Sequence, residues 1–197
     1  LNWLIIILIL AVAVGPVLYL IPSARDKRLM GVRLFARQCG LTVKITNIPK
    51  LDATADERVS AGGVAKNPQL SCVAYKVPVD ASVEGFDEVL LLKIPLAPTR
   101  PVTPTLPGWV LAQASMQTQW QRLMGPSFSA EALAEQLDKL PEDCVAWGCD
   151  GRFVSCYWRE RAQLSEDGSV PEVAQIAAVL NDCKNHLVEQ LLGSTAH

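Results

Sequence analysis

The sequence predicts an α+β protein, an antiparallel or mixed sheet packed by helices, joined to one N-terminal transmembrane helix. Three observations lead there. Period-two segments cluster before residue 97 and in one late hairpin, so strands do not alternate regularly with helices. Apolar residues recur at helical spacing in most of the remainder. The first 24 residues carry no charged side chain. The 197 residues hold 18 basic and 20 acidic side chains, a net charge of −2, and half are apolar. That balance fits one folded domain. It excludes a disordered chain, a multi-pass membrane protein and a nucleic-acid binder that neutralises phosphates over its whole surface.

The opening run, Trp3 to Ile21, has 17 apolar residues out of 19, broken by Gly15 and Pro16. As a helix it would be roughly 29 Å long at ~1.5 Å per residue, close to the thickness of a bilayer core. Residues 1–22 are therefore expected to span a membrane once, with Trp3 and Tyr19 near the interfaces. No basic region precedes the run and no small-residue cleavage site ends it, so it does not read as a signal peptide. Between Arg25 and Arg37 lie five cations and one anion, a net of +4. By the positive-inside rule this places the N-terminus outside and the C-terminal domain in the cytoplasm; the expected location is a bacterial inner membrane. There six cysteines stay reduced.

Residues 23–40 read as a basic juxtamembrane helix stopped by Gly40. Arg25, Lys27, Arg28, Arg33 and Arg37 are expected to touch anionic lipid headgroups, each contributing up to ~1 kcal/mol. Residues 41–197 form the α+β domain. Leu41, Val43 and Ile45 alternate with polar residues as a half-buried strand does; Leu51 to Asn67 is a loop. Leu70 to Val77 and Glu88 to Leu96 are further strands, the second with the continuous apolar run Val89 to Leu92. Prolines then recur every third residue at Pro95, Pro98, Pro101, Pro104 and Pro107. Polyproline II has three residues per turn, so residues 95–107 are expected to form a stiff exposed connector of roughly 37 Å, at ~3.1 Å per residue. Its edge is a candidate partner contact.

Trp109, Ala112, Met116, Trp120 and Leu123 follow at helical spacing up to Gly125 and Pro126. A second helix begins at Ser129, with Phe128 and Leu133 in hydrophobic-staple positions, and ends at Pro141. Asp150-Gly151 predicts a hairpin with a two-residue turn, placing Val145, Trp147, Val154, Cys156 and Trp158 on one buried side and Cys144 on the other. A capping box at Ser169 opens a last amphipathic helix through Val173, Ile176, Leu180, Cys183, Leu187 and Leu191 to Gly193.

No catalytic signature appears: there is no Gly-rich phosphate loop, nucleophile elbow or Walker sequence. Zinc needs four convergent ligands, and Cys144-x4-Cys149 is the sole paired unit, with Cys156 close by. Cys183 and His186 sit one helical turn apart, but Cys183 lies in an apolar stripe that blunts its reactivity. No metal, cofactor or catalytic residue is expected.

Ile21-Pro22-Ser23-Ala24-Arg25-Asp26-Lys27-Arg28 resembles the start of the YajC family of preprotein translocase accessory proteins. Asp56-Glu57-Arg58-Val59-Ser60-Ala61-Gly62-Gly63-Val64 is similar to that family's acidic-hydrophobic stretch and double glycine. The likeness covers the N-terminal part only. It implies an accessory role in protein export. The expectation is a non-catalytic, membrane-tethered accessory or scaffold protein with an interaction domain; partners would be the lipid bilayer and a membrane protein, not nucleic acid. The alternative is a membrane-anchored enzyme or a cysteine-dependent redox or metal protein.

Overall fold

Six antiparallel strands, ordered β1-β2-β6-β5-β3-β4, make one sheet at the centre of the computed structural model. The structure describes residues 3, 5–7, 23–79, 86–98, 100–125, 128–161, 165 and 168–194. The strands are β1 (Thr42–Pro49), β2 (Gln69–Pro78), β3 (Val89–Lys93), β4 (Trp109–Leu111), β5 (Cys144–Cys149) and β6 (Phe153–Trp158). The helices are α1 (Ala24–Gln38), α2 (Gln117–Leu123), α3 (Ala130–Asp138) and α4 (Pro171–Ser194). The antiparallel α+β expectation holds for the domain itself.

Alternation along the strands gives each face its own residues. Val73, Tyr75, Val89, Leu91, Trp147, Val154, Cys156 and Trp158 point to the helix side and are buried. They meet Val32 and Ala36 of α1, Trp120 and Leu123 of α2, Leu133 and Leu137 of α3, and Val173, Ile176, Leu180, Cys183 and Leu187 of α4. The opposite face carries a smaller cluster of Ile48, Cys72, Ala74, Leu90, Leu92, Ala146 and Tyr157. Small side chains dominate its middle. A Cβ added at Gly148 would lie 3.1 Å from the Val89 carbonyl oxygen and 3.3 Å from the Tyr157 ring, so that ring packs directly over the glycine.

Local chemistry fixes the helix starts. Ser23 and Asp26 form a capping box, with Asp26 N–H donating to Ser23 Oγ (3.2 Å) and Ser23 N–H donating to Asp26 Oδ2 (3.1 Å). Ser129 Oγ accepts from Ala132 N–H (3.1 Å), while Phe128 and Leu133 are both buried, as the staple predicts. α4 begins at Pro171, the helical position that tolerates proline best.

Several expectations are corrected. Among the described residues no helix is long and apolar enough to cross a membrane, which argues against the transmembrane helix expected over 1–22 and the single-pass inner-membrane placement. The longest helix, α4, has the length, but Glu172, Asp182, Lys184 and Glu189 interrupt its apolar character. Of residues 1–22, all but Trp3 and Ile5 to Ile7 lie outside the described set.

The helix expected from Trp109 starts only at Gln117, because Trp109, Val110 and Leu111 pair with Lys93, Leu92 and Leu91 as β4. Strand pairing overrides the helical spacing of isolated apolar residues. The hairpin register is also displaced by two residues, to Cys149 opposite Val154 and Trp147 opposite Cys156. Asp150 Oδ1 accepts from the N–H groups of Arg152 (3.0 Å) and Phe153 (2.7 Å), which lengthens the turn. A shift of two preserves the faces. At the far end of the hairpin, a bulge sets Cys144 opposite Trp158 and Ala146 opposite Tyr157. It puts Cys144 on the helix side, where the sequence predicts Val145.

Candidate functional site: a groove at one end of the open sheet face

In an antiparallel sheet, the C-terminal ends of β1, β6 and β3 meet the N-terminal ends of β2 and β5 at one edge. There a groove of about 380 Å³ opens. Its floor is apolar, from Ile48, Leu70, Leu92 and Val145, and Pro95 and Leu96 border it. Leu96 is fully exposed, an unusual position for a large aliphatic side chain.

The charges around the groove are unevenly compensated. Lys50 Nζ donates to both carboxylate oxygens of Glu57 (2.5 and 2.7 Å), and that contact holds the Glu57 carboxyl below the usual range. Asp143 pairs with Arg161 at 3.5 Å. Lys93 Nζ donates instead to the backbone carbonyl of Glu142 (3.1 Å), leaving its charge without a carboxylate among the described residues. Arg159 lines the same groove. The volume is of the size that holds a small ligand or a few residues of peptide; Asp52 and Glu142 also line it, and its Lys93 and Arg159 side suits an anionic group attached to an apolar body.

The five juxtamembrane cations do not act together. Arg33 turns inward: its Nε donates to Glu160 Oε1 (2.9 Å) and its Nη2 to Oε2 (2.6 Å), and Tyr75 Oη donates to Oε1 (2.8 Å). The Glu160 side chain is 5% exposed and that of Arg33 29%. Burial raises the Tyr75 phenol far above its ordinary value, and Glu160 adds to the rise. Glu160 has a φ of 49°, a left-handed conformation rare outside glycine, while its carboxylate holds these three hydrogen bonds. Arg25, Lys27 and Arg37 are exposed, while Arg28 is half-buried.

Pro95, Pro98, Pro101, Pro104 and Pro107 are all exposed, but they do not span a distance. Ile94 N–H donates to the Gly108 carbonyl (2.8 Å), so residues 95–107 leave the sheet edge and return beside their starting point as the β3–β4 loop. Pairing of Lys93 with Trp109 dictates the return. Gly108, at φ 75°, makes the last turn into β4. The double glycine of the YajC-like stretch sits at the tip of a small hairpin closed by a bridge between Val59 and Ala65.

All six cysteines are free. Burial pushes Cys149 up to about 11 and Cys183 up to about 12. Among the described residues no three His, Cys, Asp or Glu side chains converge as metal ligands. Cys144 and Cys156, expected on opposite faces, come within 2.9 Å sulfur to sulfur. The sequence reading missed this pair because it contains no bulge signal. It missed Lys93 and Arg159 because they meet only through strand order; alternation from Tyr157 to Arg159 was the available hint. Comparison with protein-family models, curated proteins and solved structures returns no match, so the chemistry of this groove and of the buried side chains is what speaks to function.

Proposed function

We propose that this chain is a non-catalytic interaction domain that receives an extended, acidic-apolar peptide segment of a protein partner in the groove at the end of the sheet. One observation carries the reading: an apolar floor lies beside Lys93, a cation with no carboxylate partner among the described residues, and Arg159 lines the same groove. Apolar side chains of the peptide would cover Leu92 and Val145, and its carboxylates would meet Lys93 and Arg159. Pro95, whose ring fixes its backbone angle, borders the groove and needs little ordering on binding. The groove offers no histidine, and no convergent nucleophile and base. A link to protein export rests on the YajC-like residues alone.

Peptide display against the purified full chain tests the proposal. Enriched sequences should alternate apolar residues with Asp or Glu. Arg159→Glu should weaken their binding at least tenfold while leaving unfolding unchanged. Enrichment of basic peptides, or indifference to Arg159→Glu, would refute it.

A further inference from the structure

The bulge at the start of β5 has a chemical result. Without it, strand alternation would put Cys144 and Cys156 on opposite faces of the sheet; with it, both thiols lie in the helix-side core, fully buried. Their sulfurs stand 2.9 Å apart, inside the roughly 3.6 Å of two sulfurs in contact, and a bond of ~2.05 Å is less than 1 Å of sulfur movement away. Among the described residues it is the one thiol pair within hydrogen-bonding distance. Cys144 is the first residue of β5, at the bulge, whereas Cys156 lies inside β6, so a local opening of the strand end frees Cys144 first.

We propose that Cys144 and Cys156 are a two-electron oxidation site that a hydroperoxide converts to an intramolecular disulfide. The Cys144 sulfur attacks the near oxygen of the hydroperoxide and breaks the O–O bond. Its proton leaves with the departing oxygen as an alcohol, or as water from hydrogen peroxide, and Cys144 becomes a sulfenic acid. The Cys156 sulfur then attacks the Cys144 sulfur, forming the S–S bond and breaking the S–O bond. Hydroxide departs with the Cys156 proton as water. Two thiols are oxidised by two electrons and one peroxide is reduced. Burial raises the Cys156 thiol well above its ordinary value and contact with Cys144 adds to this, while the positive charge of Lys93 acts in the opposite direction; the position of Cys144 at the strand end gives it the first attack. The site does not depend on what occupies the groove.

Mass spectrometry of the full chain tests this directly. Reduced protein is treated with hydrogen peroxide, blocked with iodoacetamide and digested with trypsin without reductant. The expected product is a loss of two hydrogens from the chain and a cross-link between the peptide Leu140 to Arg152 and the peptide Phe153 to Arg159. The first peptide also holds Cys149, so the link must persist in Cys149→Ser and vanish in Cys144→Ala. Carbamidomethyl groups on both Cys144 and Cys156 after the peroxide step would overturn the proposal. So would a link through Cys149, or oxidation that proceeds only at Cys39. Fragment ions that place the iodoacetamide label on Cys149 in the cross-linked wild-type peptide decide the question even if a variant fails to fold.

Discussion

Replacing Arg33 with alanine strips the nearly dry Glu160 carboxylate of both its charge-assisted hydrogen bonds and leaves it one partner, Tyr75. Removing one member of a buried pair typically costs about 3–5 kcal/mol, because the other charge stays buried without compensation. The reverse change is milder. Glu160→Gln keeps an acceptor for Tyr75, and the stranded Arg33 is 29% exposed and reaches water. Hydrogen bonds to charged groups contribute ~1.5–3 kcal/mol, so Glu160→Gln should cost about 1–3 kcal/mol. The expected order is Arg33→Ala worse than Glu160→Gln. The double variant should be less destabilised than the sum of the two, since no charge is then left behind. Urea unfolding followed by tryptophan fluorescence reads this well, with Trp147 and Trp158 both buried. The Arg33→Ala loss corresponds to roughly 6–20 °C in Tm for a chain of this size. A cost below ~1 kcal/mol for Arg33→Ala, or strict additivity in the double variant, would refute the reading of Arg33 and Glu160 as a coupled, nearly dry ion pair.

Two further outcomes are expected. Gly148→Ala should destabilise by about 1–3 kcal/mol, because its Cβ meets the Val89 backbone oxygen and the Tyr157 ring, and overpacking there forces a shift; a Tm equal to that of the parent chain would contradict the close approach. Stability should fall as pH rises above about 9, since the unfolded chain then loses thiol protons that folded Cys149 and Cys183, held up to about 11 and 12 from an ordinary 9.0, retain; urea midpoints that stay flat from pH 8 to 10.5 would count against that burial.

Much of this fold was legible because face assignment needs only period. The strand from Leu70 to Val77, the helix start at Ser129 with its staple of Phe128 and Leu133 and the α4 stripe from Val173 to Leu187 all appear where the pattern placed them, whereas Ile45 of β1, expected on the buried side with Leu41 and Val43, is exposed. Even the hairpin's displaced register left its buried side intact, since a two-residue shift preserves parity. What failed shares another cause. The Trp109 segment, the proline loop and Cys144 were each decided by a partner distant in sequence: β3, the chain's return to Gly108, and the bulge opposite Trp158. Glu160 is the sharpest case. Nothing near it in sequence marks it, yet it joins Arg33 and Tyr75 across separations of 127 and 85 residues.

The two faces of the sheet divide the work between them. The helix side is filled by Tyr75, Trp147 and Trp158 with long aliphatic partners, so substitutions there should act on stability first. The open side has Cys72, Ala74, Ala146 and Gly148 along its middle, and Tyr157 is the one aromatic side chain buried over them. Too little bulk is present there to fill the end of the face, and the groove is the space that remains. The bulge at Cys144 joins the two sides. One added residue carries Val145 to the groove floor and Cys144 toward Cys156, so a single irregularity in β5 shapes both the groove and the close approach of the two thiols.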